Sequence, residues 1–208
     1  MRGRQLAIAG AVFAAGALAI AGTIALTTTG PGTAAYGPMM GATPARGGIV
    51  SDGSAAGLAA RVPAGASVDS AGNTLVFHTS TVAFTAVASP PDEGMYTFGV
   101  AGMTNPVIEI PRGARVSIEV VNADDDMPHG LVVTSGQAAA GPMPMMTTVP
   151  SFPGAAVWTL AQASPAGLST ATETFTAGVP GRYQYLCPVP GHAAAGMAGA
   201  FVVTGSDQ

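Results

Sequence analysis

The chain has a single cysteine, Cys187, which stands five residues before His192, and His192 stands five before Met197. A thiolate, an imidazole and a thioether from one short stretch are ligands for a soft or borderline metal ion. A mononuclear copper centre for electron transfer takes one thiolate, two imidazoles in a trigonal arrangement and a weak, long axial thioether, a set that tolerates both Cu(I) and Cu(II). The second imidazole must come from elsewhere, and only three histidines exist. His129 opens a strand-like run after the loop Asn122-Ala-Asp-Asp-Asp-Met-Pro128, so a neighbouring strand can deliver it. His78 has no ligand partner at a recognisable spacing and reads as a half-exposed strand histidine.

Each residue alone has a plainer reading: Cys187 as a small buried hydrophobe, Met197 as core filler, His192 as a surface loop residue. Their combination favours copper over the alternatives. Zinc sites seldom use a thioether, and Cys plus two His would leave an open catalytic position with no evident general base. A cysteine nucleophile is disfavoured because Pro188 follows Cys187, so no helix N-terminus begins there to lower its pKa. A binuclear copper site would ask for a second cysteine, and a lone cysteine also excludes an intramolecular disulfide. The cluster Met143, Met145 and Met146 is read as loop filler, with a secondary Cu(I) site as the alternative. Asp124 to Asp126 read as a solvated acidic turn, with attraction of a basic partner as the alternative.

The elements that position these residues are strands. Runs rich in Val, Ile, Phe and Thr are separated by Gly, Pro, Asn or Asp at 74–78, 82–88, 96–100, 107–110, 115–122, 130–134, 156–160, 173–176, 182–186 and 199–204, the pattern of an antiparallel sandwich or barrel. Along Arg115-Val-Ser-Ile-Glu-Val120, apolar and polar residues alternate, so one face is buried and one is wet. The 29 glycines and 17 prolines suit many turns, and the length allows one domain after an N-terminal extension. All seven basic residues are arginines, set against eleven carboxylates for a net charge of −4, which argues against a nucleic-acid partner.

Arg2 and Arg4 precede an uncharged run from Leu6 to Leu26, long enough to cross a bilayer as a helix. Residues 1–29 are therefore expected to form a membrane anchor, or else a signal peptide cleaved near Thr33-Ala-Ala35. Residues 30–66, rich in Gly, Pro and Ala, are expected to be a flexible linker, with the β domain spanning 67–208. Both readings of the N-terminus export the domain.

The loop Cys187-Pro-Val-Pro-Gly-His-Ala-Ala-Ala-Gly-Met197 is very similar to the copper loop of cupredoxins of the rusticyanin and sulfocyanin type, and the segment Asn105-Pro-Val-Ile-Glu-Ile-Pro-Arg-Gly-Ala114 resembles their equivalent strand. The resemblance runs from about Gly72 to Thr204. It implies a Greek-key β-sandwich and one type 1 (blue) copper ion, with His129, Cys187, His192 and Met197 on the ligand positions. It further implies no catalytic turnover and service as a monomeric one-electron carrier in a respiratory chain outside the cytoplasmic membrane, with redox partner proteins such as a cytochrome or a terminal oxidase. Gly130 departs from the rusticyanin pattern, which has a hydroxyl residue directly after the first histidine; a potential as high as rusticyanin's is not implied. The alternative function is exported copper storage or delivery without redox turnover.

Overall fold

Period-two burial decides which face of each run meets the core. Along Arg115–Asn122 every second residue is buried until the last three, Val120, Val121 and Asn122, which are all buried. The computed structural model describes residues 46–50, 54–135 and 148–205. In chain order its elements are β1 (Arg46–Val50), α1 (Ala55–Ala59), β2 (Ala66–Asp69), β3 (Thr74–Phe77), β4 (Thr81–Ala88), β5 (Phe98–Val100), β6 (Met103–Thr104) and β7 (Val107–Pro111). Then follow β8 (Arg115–Asn122), β9 (His129–Thr134), β10 (Ala156–Leu160), β11 (Leu168–Thr176), β12 (Gly181–Leu186) and β13 (Ala198–Thr204).

These strands form two sheets, ordered β1-β11-β8-β4-β5-β6 and β10-β9-β12-β13-β7-β3-β2. Most neighbours are antiparallel, while β4 with β8, β3 with β7 and β7 with β13 run parallel. One apolar core joins the sheets, with Val82, Phe84, Ile118 and Phe175 from the first and Leu75, Ile108, Leu131 and Phe201 from the second. Rings meet across it: Phe175 and Phe201 lie 6.0 Å apart and Phe98 and Tyr185 5.6 Å apart, centroid to centroid. The fold is an all-β sandwich, as expected.

Each of the ten predicted runs overlaps a strand, although Tyr96 and Thr97 precede β5, His78 lies past β3, and the run at 173–176 belongs to a strand that begins earlier, at Leu168. The expected linker is not featureless. β1 pairs antiparallel with β11, Arg46 opposite Thr172 and Val50 opposite Leu168. Ser54 caps α1, its hydroxyl accepting the Gly57 N–H at 3.1 Å, and Leu58 and Ala59 pack with Val87 and Val121. β1 escapes a hydropathy reading because it is recruited by backbone pairing to β11, and α1 because Leu58 is the one large apolar residue of its five. The expected anchor at 1–29 and the methionine cluster at 143–146 lie outside the described residues. Among the described residues no helix is long and apolar enough to cross a membrane. His78 lies just past β3, exposed, with its Nε2 2.8 Å from Ser67 Oγ, and among the described residues it belongs to no cluster of metal-ligating side chains.

Candidate metal centre

Three adjacent strands bring the candidate ligands to one end of the second sheet. β12 pairs with β9 through Leu186 and Val132, and with β13 through Leu186 and Ala198. Cys187 therefore leaves β12 beside the start of β9, where His129 stands, and the loop from 187 to 197 returns into β13. That loop is closed on itself: Cys187 N–H donates to Met197 O at 3.1 Å and Met197 N–H donates to His192 O at 3.0 Å. Asn105, in the left-handed region at φ 46°, braces it from the neighbouring turn. Its Nδ2 donates to Gly196 O at 3.1 Å while its Oδ1 accepts the Phe98 N–H at 2.8 Å. Tyr185 fixes the strand end, its hydroxyl donating to Pro106 O at 2.7 Å and its ring lying over Gly199, where a Cβ would collide with it.

The donor atoms converge. Cys187 Sγ is 3.8 Å from His129 Nδ1 and 3.5 Å from His192 Nδ1, and the two Nδ1 atoms are 3.1 Å apart. A triangle with these sides has one point about 2.0 Å from all three corners, a metal-to-ligand bond length. His129, Cys187 and Met197 are at most 1% exposed and His192 is 6% exposed. Burial pushes the Cys187 thiol up to about 11, against the backbone hydrogen bonds of Gly130 and Val189. Burial and the adjacent His129 ring hold His192 below its ordinary value, with Asp124 pulling the other way. A thiol so reluctant to ionise releases its proton to solvent readily only when a cation takes its place on the sulfur, and the softness of one thiolate, two imidazoles and a buried thioether suits copper better than a harder ion.

One reading of the sequence is corrected around these ligands. Of the three aspartates taken as a solvated turn, Asp125 and Asp126 are exposed but Asp124 is buried, with Oδ2 3.0 Å from His129 Nε2. The turn folds inward because Asn122 Nδ2 donates to Met127 O and Ala161 O, both at 2.9 Å. Burial opposes the charge on Asp124, yet the His129 hydrogen bond and the N–H groups of Asp126 and Met127 hold it below the usual carboxylate value. His192 is buried too, which excludes the plainer reading of it as an open loop residue. Tyr96 covers it edge-on, ring centroids 5.0 Å apart, and the apolar residues Pro190, Ala194 and Ala195 are what face solvent beside it. Gly130 is explained by β10, because a Cβ there would collide with the carbonyl oxygens of Val157 and Trp158.

Comparison with known proteins agrees with this arrangement. The family model described as Sulfocyanin (SoxE) domain matches residues 69–207. The rusticyanin of Acidithiobacillus ferrooxidans is 32% identical over 132 residues, covering 64% of this chain and 68% of that protein. The rusticyanin of Acidithiobacillus ferridurans is 31% identical over the same shares. A solved rusticyanin structure from Thiobacillus ferrooxidans superposes with a TM-score of 0.59 at 27% identity, over 67% of this chain and 86% of that one.

Proposed function

The chain belongs to the sulfocyanin domain family and is a copper-carrying cupredoxin of the rusticyanin and sulfocyanin type, and from that premise we propose that it serves as a type 1 copper one-electron carrier in a respiratory chain outside the cytoplasmic membrane. His129, Cys187, His192 and Met197 are the proposed ligands. Bound copper supplies the one-electron step between Cu(II) and Cu(I). The chain's own part is to keep the donor atoms in place through that step and to exclude water from them.

The convergence of Sγ and two Nδ1 atoms on one point, in a loop closed by its own backbone hydrogen bonds, carries this reading. A frame that does not need to rearrange suits fast exchange between oxidation states. The same burial argues against storage or delivery, because an ion behind ligands at most 6% exposed leaves only if the loop opens. We assign residues 1–29 to a membrane anchor that holds the domain near its partners, proteins such as a cytochrome or a terminal oxidase. The apolar rim at Pro190, Ala194 and Ala195 is the proposed docking surface, where weak desolvated contacts allow a partner to approach and leave.

The test is the visible spectrum of purified protein with Cu(II) added. An intense thiolate-to-copper charge-transfer band that bleaches reversibly with reductant is expected, and Cys187→Ser should lose it while the β domain stays folded. A colourless wild-type protein that yields Cu(I) to a weak chelator would support storage instead, and a blue serine variant would remove Cys187 from the site.

A further inference from the structure

The tautomer of His129 can be read from its partners. Two groups face its Nε2: Asp124 Oδ2 at 3.0 Å and Ser89 Oγ at 3.1 Å. The Ser89 hydroxyl gives its proton to Met95 O, so towards the imidazole its oxygen can only accept. Asp124 Oδ1 already accepts the N–H groups of Asp126 at 2.8 Å and Met127 at 3.0 Å, the pattern of an ionised carboxylate, which is likewise an acceptor. With acceptors on both sides, Nε2 must carry the proton. The lone pair is then on Nδ1, the atom facing Cys187 and His192.

The carboxylate is also locked in place. The Asp124 N–H donates to Asn122 Oδ1 at 3.0 Å, and the Asp124 carbonyl accepts the Ala163 N–H at 2.7 Å. A carboxylate behind a ligating imidazole fixes the ring and raises its basicity. Its negative charge, in a buried setting, favours the more positive oxidation state of an ion on the far side of the ring.

We propose that Asp124 is a positioning residue of the metal centre, one that holds His129 as the Nε2–H tautomer and biases the centre toward the oxidised ion. This rests on the copper reading above. It separates Asp124 from its neighbours Asp125 and Asp126, which share its chemistry but face solvent.

The experiment compares full-length wild type, Asp124→Asn and Asp124→Leu. Asparagine keeps an acceptor for Nε2–H and removes the charge, so the blue band should persist while the preference for Cu(II) over Cu(I) falls about tenfold, a rise in reduction potential of about 59 mV for a one-electron couple. Leucine removes the acceptor too, and copper affinity should drop by about 10- to 100-fold. Because the Ser89 oxygen is the other acceptor on Nε2, nitrogen NMR of the metal-free chains is read in a Ser89→Ala background, where the chain with Asp124 or Asp124→Asn should keep His129 as Nε2–H and Asp124→Leu should give a mixture of tautomers. An Asp124→Asn potential equal to wild type, or a His129 that keeps its tautomer in a folded chain carrying both Ser89→Ala and Asp124→Leu, would overturn the proposal. If Asp124→Leu does not fold, the Asp124→Asn potential decides it. A wild-type chain that binds no copper would instead overturn the copper reading, and the tautomer comparison would still decide the role of Asp124.

Discussion

Replacing Glu173 with glutamine should stabilise the protein, and by a margin that grows with pH. Glu173 lies on β11 opposite Ile118, on the inward face with Ala171 and Phe175. It is 2% exposed, and neither carboxyl oxygen makes a hydrogen bond of ordinary geometry. Burial drives its pKa well above the usual carboxylate range, and the Val157 backbone relieves this only in part. The folded chain therefore keeps a proton that the unfolded chain releases at its ordinary value of about 4.3. Below that value both states are protonated and the carboxyl carries no ionisation penalty. Above it the unfolded state is favoured by about 1.4 kcal/mol for each pH unit, until the raised folded value is reached. Glutamine has the same shape and no proton to lose. Urea unfolding of both chains, copper-free so that metal linkage does not enter, at pH 4, 5, 6 and 7 isolates the effect, since all other titrations cancel in the difference. A difference that stays flat over this range, or a glutamine variant that loses ground as pH rises, would refute the reasoning.

The remaining predictions concern the centre and its surroundings. Met197→Gln replaces a soft thioether with a harder oxygen and should lower the reduction potential in voltammetry; an unchanged potential would remove Met197 from the ligand set. Ala194→Glu puts a charge on the apolar rim beside His192 and should slow electron exchange between protein molecules while leaving spectrum and potential alone; an unaltered rate would move docking elsewhere, with the exposed Asp125 and Asp126 next in line. Full-length protein should partition with membranes, whereas a chain beginning at Ala42, which keeps β1 and α1, should be soluble and blue. Native protein in the soluble fraction with its N-terminus near Tyr36 would instead establish a cleaved signal peptide.

What the sequence made legible follows from which interactions leave a local trace. Strands of the sandwich show because burying one face of a pleated ribbon demands alternation, as along Val116, Ile118 and Val120. The ligands show because copper chemistry restricts residue type, and three of the four share one loop. β1 and α1 leave no such trace: Arg46-Gly-Gly-Ile-Val50 is recruited by the edge of β11, a partner over a hundred residues away. The choice among Asp124, Asp125 and Asp126 is equally non-local, since the inward turn depends on Asn122 reaching Met127 and Ala161. The cover of Tyr96 over His192 joins two segments that no spacing rule connects. Glu173 is different, because its parity with Ala171 and Phe175 along Leu168–Thr176 is visible in the chain itself. Following that period would place a carboxyl on the apolar face. A group there that is tolerable only while protonated ties the stability of the sandwich to the acidity of the medium.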